Sequence, residues 1–412
     1  MIASLTEGMY KPSSRIDKYC GHILLIGFFL ITGGFYFFKD YGGVARSFYV
    51  LFMLPTIICL PYCFDKKFFF SKEMLIFFVP IAYLALSTLW VSEEYKSEAR
   101  SVLYWAKPSL FLLFLFVGIK IILERYRNVE EYLFKFLVVV ALITAIISLY
   151  QYIPEAYSKN HWPRMAGMSL RGDINVTAAL YGMAVVFSVY GLLVWNKRWA
   201  FMIICAILFS ISIVLLSRSK VPLFYLIVSF IAFVGISFKG KGFSLAKLII
   251  IIALLSVAIG FYAYFGRVPF IERLNSYSVR FELWLNAIEQ MKGVWWFGHG
   301  VGSDINLIYS GREYASHSHN ILIDTLRYGG LLGLILVLAQ VIAVVFSGFW
   351  LAKKKVSYLL VLCWYVLGIL FLLTNGQQLL VKPHHIWFYY WLPAALLLSI
   401  CYLEKRTQAF AK

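Results

Sequence analysis

Twelve apolar runs, each near or above the roughly 20 residues that cross a bilayer, leave this 412-residue chain little choice of fold. They lie at about 20–38, 44–63, 72–90, 101–123, 132–152, 174–194, 199–216, 219–237, 246–265, 319–347, 356–374 and 384–403. Hydrophobic residues make up 61% of the chain and charged residues 14%, more apolar surface than a water-soluble fold could bury. Within lipid every backbone N–H and C=O needs a partner inside the chain, so only helices and closed barrels span. The runs lack the alternation of a barrel. The pattern predicts an all-α, polytopic integral membrane protein with about 12 transmembrane helices. Residues 1–412 read as a single transmembrane domain, with one long outer loop, 266–318, containing short amphipathic helices. Residues 1–19 are polar and the first run is long enough to remain as a span, so no cleavable leader is predicted.

Lys and Arg set the orientation. With an inner N-terminus, the inner segments collect Lys11, Arg15, Lys18, Lys66, Lys67, Lys72, Lys120, Arg125, Arg127, Lys197, Arg198, Lys239, Lys241, Lys247, Lys353, Lys354, Lys355, Lys405, Arg406 and Lys412, and the short outer loops carry fewer. Both termini are thus predicted inside and loop 266–318 outside. Much of the net charge of +18 is this topological signal. Because the cations are scattered over many inner segments, membrane lipids with anionic head groups are their expected partner, and nucleic acid is not. The six cysteines all sit in or beside apolar runs, which points to packing rather than disulfides or thiolate metal sites.

The chemistry concentrates at the outer boundary. His317-Ser318-His319-Asn320 runs straight into the tenth apolar stretch, where a helix N-terminus favours phosphate and a neutral, proton-accepting imidazole. The alternative role for these histidines is to cap that helix. Residues 277–291 read as an amphipathic helix, with Phe281, Trp284, Leu285, Ile288 and Met291 at helical spacing and Arg280 and Trp284, four apart, on one face. Gly298-His299-Gly300-Val301-Gly302 follows, a turn whose glycines permit close approach to another chain or a ligand. Arg218 and Lys220 sit in a very short outer turn between the seventh and eighth runs. An arginine there can grip phosphate through two N–H groups and a lysine through a point charge. Arg164, Arg171, Asp173 and Asn175 mark a second basic outer segment, Asp324 and Arg327 are spaced to pair with each other, and His384 and His385 in the last outer loop read as structural.

These residues, in this order, resemble the O-antigen ligase and polymerase superfamily of polytopic glycosyltransferases. Leu216-Ser217-Arg218-Ser219 looks like the family's Ser-Arg turn, and Arg280 with Trp284 is similar to its Arg-x-x-x-Trp helix. Phe297 to Gly302 resembles its glycine turn. His319-Asn320, followed by Leu322 and by Gly329 to Gly333, looks like its His-Asn signature. Arg164 to Gly167 with Asn175 echoes an earlier segment, and the likeness covers about residues 160–340.

The resemblance implies a ligase. It would transfer a glycan from undecaprenyl diphosphate to a lipid A–core sugar at the periplasmic face of a bacterial inner membrane, with inversion and without metal or cofactor. Arg218 and Arg280 would hold the diphosphate, and His319 would take the acceptor's proton. His317, Asn320, Arg312 and Lys220 would assist. The sharpest expectation is that the two guanidinium groups and a neutral imidazole share an outer-leaflet pocket. A polymerase extending lipid-linked repeats is the alternative. A polytopic transporter is disfavoured, because its ionisable groups would lie at mid-membrane.

Overall fold

A computed structural model of the chain describes residues 14–92, 95, 102–158, 163–168, 173–219 and 270–410. Among the described residues, nine helical stretches are long and apolar enough to cross a membrane: α1 (Arg15–Phe37), α2 (Tyr41–Cys63), α3 (Lys72–Trp90), α4 (Leu103–Arg125), α5 (Val129–Ser158), α6 (Ile174–Val194), α7 (Lys197–Ser217) and, beyond α8 (Phe270–Glu289), α9 (Ile321–Ala352) and α10 (Val356–Asn375). They coincide with apolar runs one to seven, ten and eleven. Runs eight and nine lie outside the described residues. The twelfth run is helical too, as α11 over 385–410, and it passes through a π-helical turn at Trp387–Trp391 whose five aromatic side chains are all buried. The protein is therefore an all-α, multi-pass membrane protein.

Backbone packing divides it into two units: Met1–Phe28, Ala45–Glu130 and Arg273–Lys412 form the first, Phe29–Val44 and Glu131–Glu272 the second. In the first, α9 packs on α10 and α3, and α11 packs on α4. Phe77 of α3 stacks on Phe116 of α4 at 4.4 Å between ring centroids and meets Trp391 of α11 edge-on at 5.4 Å. The buried amide of Gln340 fastens α9 to its neighbours. Its Nε2 donates to the carbonyls of Ile76 and Phe77, and its Oε1 accepts from the Tyr390 hydroxyl at 2.6 Å. Such inter-helix bonds matter where lipid gives no hydrophobic drive to associate.

In the second unit α6 is buried along most of its length and packs on α7 through Val185, Ile203, Ile207, Ile211 and Leu215. The Tyr36 hydroxyl donates to the Leu180 carbonyl at 2.9 Å, and the Tyr181 hydroxyl to Thr144 Oγ1 at 3.0 Å.

The long loop before α9 corrects two expectations. Its helix begins earlier than 277, at Phe270, and packs through a different face. Leu283 and Ala287 are buried against Leu307, while Phe281, Leu285 and Ile288 are exposed. The loop also holds a hairpin, β1 (Leu307–Tyr309) and β2 (Arg312–Ala315), antiparallel with Tyr309 opposite Arg312. Its two-residue turn, Ser310-Gly311, has positive φ at both positions (49° and 75°), the twist that suits a tight hairpin.

Candidate functional site

The site is built around the start of α9. Asn320 is its N-cap: the side-chain Oδ1 accepts from the N–H groups of Leu322 (2.9 Å) and Ile323 (3.2 Å), satisfying two of the donors a helix start leaves open. The amide, not an imidazole, carries the helix end. One residue earlier, His319 sits at φ 59°, a left-handed conformation that a bulky residue adopts only when its surroundings hold it. Three contacts supply that hold. Gly376 N donates to the His319 carbonyl at 3.3 Å. Trp284 Nε1 of α8 donates to the Ser318 carbonyl at 2.9 Å. Ser318 N donates to the buried Asp324 carboxylate at 3.0 Å. The face shared by Arg280 and Trp284 thus pins the histidine loop, as their spacing of four allows.

Arg280 lies in the same cluster. Its Nη2 makes a long hydrogen bond, 3.4 Å, to Asn375 Oδ1 at the end of α10. The next residue, Gly376, is the one that binds the His319 carbonyl, so Asn375-Gly376 ties the guanidinium and the histidine loop to a single turn of chain. The ring of His317 lies 4.2 Å from that of His319, centroid to centroid. Among the described residues no hydrogen bond engages the ring nitrogens of His319. Partial burial, then the fields of His317, Arg280 and His385, push its pKa from 6.5 down to about 4. The imidazole is therefore neutral and open to a proton across the ordinary pH range.

His384 and His385 also belong to this patch. Their rings are 4.1 Å apart, His385 Nε2 lies 3.2 Å from the Asn375 carbonyl, and His384 is 3.3 Å from Gln377 Nε2. Burial, followed by His385 and His317, drives the His384 pKa well below its usual value. A signal was present in the sequence: a polar stretch, Asn375-Gly376-Gln377-Gln378, leaves a span on the same predicted outer side as the long loop. Among the described residues no group of three or more His, Cys, Asp or Glu side chains is arranged to hold a metal ion.

The glycine turn meets its own chain rather than a ligand. Gly330 interrupts α9 with φ 65° and ψ −169°. His299 N and Gly300 N donate to the carbonyls of Arg327 (3.0 Å) and Tyr328 (2.9 Å) next to that break, and Leu331 N donates back to the Trp295 carbonyl at 2.8 Å. A Cβ on Gly298 would sit 2.5 Å from Gly330 N, and one on Gly330 would sit 2.3 Å from the Trp296 carbonyl oxygen. Two backbones press together where neither can carry a side chain. Burial and the nearby Arg327 charge keep His299 below its usual pKa, and its Nε2 lies 2.8 Å from the Gln290 carbonyl. Asp324 and Arg327 do not form the ion pair their spacing suggested. The buried Arg327 instead donates to Gln290 Oε1 and to the carbonyls of Ser316 and Ile305, bracing the base of the hairpin. Arg312 is exposed on β2.

Arg218 belongs to the second unit. It is the C-cap of α7, also left-handed at φ 53°, with its N–H donating to the Leu215 carbonyl at 3.0 Å. Arg164 Nε donates to the Ser217 carbonyl at 3.0 Å, Met165 N to the Leu216 carbonyl at 3.1 Å, and Ser219 Oγ to Asn175 Oδ1 at 3.1 Å. The Arg-x-x-Gly and Asn elements thus brace the Ser-Arg turn. Lys220 and Arg171 lie outside the described residues.

A family model described as O-antigen ligase matches residues 205–338, the stretch that holds Arg218, Arg280, the glycine turn and His319. A curated O-antigen ligase from Pseudomonas aeruginosa is 26% identical to the chain over 395 residues, covering 94% of this chain and 92% of that protein. With the motif residues assembled as described and the likeness to that relative running nearly end to end, the chain is similar to O-antigen ligases.

Proposed function

We propose that this protein transfers a glycan from undecaprenyl diphosphate to a hydroxyl of a lipid A–core sugar, at the periplasmic face of the inner membrane, with both termini in the cytoplasm. The observation that carries this reading is the neutral His319 imidazole, free of hydrogen bonds among the described residues, in the same cluster as the Arg280 guanidinium. His319 takes the proton of the acceptor hydroxyl as that oxygen attacks the anomeric carbon. The bond between that carbon and the phosphate oxygen breaks on the opposite side, so the configuration inverts. The diphosphate leaves with its charge offset by Arg280. Arg218, on its turn in the second unit, takes the second phosphate-binding role. Lys220 and Arg312 are further cationic contacts, and His317 is the neighbour that helps keep His319 neutral. Asn320 acts through the loop it caps.

The banding pattern of lipopolysaccharide from a deletion strain tests this reading. A ligase predicts that lipid-linked polymer persists while polymer on lipid A–core disappears. Single repeats left on the carrier would make the protein a polymerase instead. Polymer on lipid A–core at parental levels would end the proposal.

A further inference from the structure

A cavity lined by charged side chains and aromatic edges lies at the far end of the first unit from the histidines. It encloses about 810 Å³. Helices α3 and α11 connect the two places. The Tyr83 hydroxyl donates to the Gly329 carbonyl near the glycine turn, whereas Glu73, ten residues earlier in α3, lines the cavity. His385 opens α11 and Lys405 lines the cavity, roughly 30 Å further along the axis at 1.5 Å per residue.

The lining holds five cations, Lys66, Lys67, Lys120, Lys405 and Arg406, against three carboxylates, Asp65, Glu73 and Glu124. The carboxylates are fully used. Glu124 and Asp65 lie 2.8 Å and 3.6 Å from Lys120 Nζ, which is buried. The same two carboxylates lie 2.8 Å and 3.1 Å from Arg406, and Glu73 lies 2.6 Å from Lys405. Two positive charges remain. They are Lys66 and Lys67, both exposed and without a partner among the described residues. Tyr62 and Phe64 line the same cavity and are exposed, the kind of aromatic edge that settles at a membrane–water boundary. Lysine binds phosphate as a point charge. The volume far exceeds one phosphate, and it falls in the range of roughly 300–1,000 Å³ that holds larger small-molecule ligands.

We propose that this cavity binds the head group of an anionic phospholipid from the leaflet at that end of the spans, with its phosphate on Lys66 and Lys67 and its glycerol and first acyl carbons against Tyr62 and Phe64. The site is independent of the histidine cluster, so glycan transfer measured alongside reports on that reading separately. The test is native mass spectrometry of the full chain in detergent, titrated with phosphatidylglycerol, phosphatidylcholine or inorganic phosphate. Phosphatidylglycerol should bind more tightly than phosphatidylcholine. The double change Lys66→Gln with Lys67→Gln should weaken it about fivefold per lysine, roughly 25-fold in all. Lys66→Arg with Lys67→Arg should retain most of the binding, and matched elution profiles and melting temperatures would establish that both variants fold. Equal binding of the two lipids, or undiminished phosphatidylglycerol binding by the glutamine variant, overturns the proposal. Inorganic phosphate binding as tightly as phosphatidylglycerol also overturns it, by making the ligand a soluble anion.

Discussion

The histidine loop of the first unit and the Ser-Arg turn of the second solve the same problem by different means. Each presents its proposed site residue at a helix end in a left-handed conformation, His319 at φ 59° and Arg218 at φ 53°. Such conformations cost about 1–3 kcal/mol for a residue with a side chain and persist only where neighbours enforce them. Around Arg218 the enforcement comes from the loop before α6 and from the start of α6, through Arg164 and Asn175. Around His319 it comes from α8, α9 and the turn after α10, elements distant in sequence. The Ser-Arg turn gathers two guanidinium groups, which suits the phosphate-binding role proposed for it. The histidine loop gathers imidazoles kept neutral beside one guanidinium, which suits the proton-accepting role proposed for His319.

The largest effect should come at His319. His319→Ala should lower transfer by about 10²–10⁴-fold, the usual weight of a general base, while the protein still inserts. His319→Gly separates chemistry from scaffold: it removes the imidazole and relieves the left-handed strain, so transfer should fall as far while the melting temperature holds or rises. A glycine variant that melts early would make His319 structural. Paired changes at the arginines should be intermediate. Arg280→Lys and Arg218→Lys each keep the charge but lose the two-pronged grip, and about tenfold or more should be lost from transfer, since a hydrogen bond to a charged group is worth about 1.5–3 kcal/mol. If only one of them is sensitive, phosphate binding rests on that unit alone.

The smallest effect is on the pH profile. With the His319 pKa near 4, transfer should hold its plateau through pH 6.5 and fall only as the pH drops towards 4, where the imidazole takes up a proton. Arg280→Gln removes one of the charges that depress it, so the acid limb of the residual activity should move up in pH. A limb near 6.5 in the parent protein would mean that another group is titrating.

How far the sequence foretold this structure depends on the kind of information each part needs. Helical spans follow from local apolar length, and those falling on described residues formed where expected. That Arg280 and Trp284 share a face of α8 follows from local spacing, but the tie from Trp284 to Ser318, 34 positions on, does not. The packed face of α8 did not follow, because that helix carries apolar residues on two sides and periodicity cannot say which meets protein: Leu283 and Ala287 pack while Phe281 and Leu285 stay exposed. The partner of the glycine turn was equally hidden. Gly298 and Gly330 fit each other across 32 positions, and nothing in either motif names the other. His384 and His385 reach the site only because α10 returns to the same end of the first unit as the start of α9.

The capping amide at Asn320 has a further consequence for the proposed mechanism. A side chain that secures a span cannot readily change its charge, since each protonation would loosen the hydrogen bonds beneath it. With that duty assigned to a group that does not titrate, the adjoining ring can play the proton-carrying part proposed for it while the rod below it stays anchored.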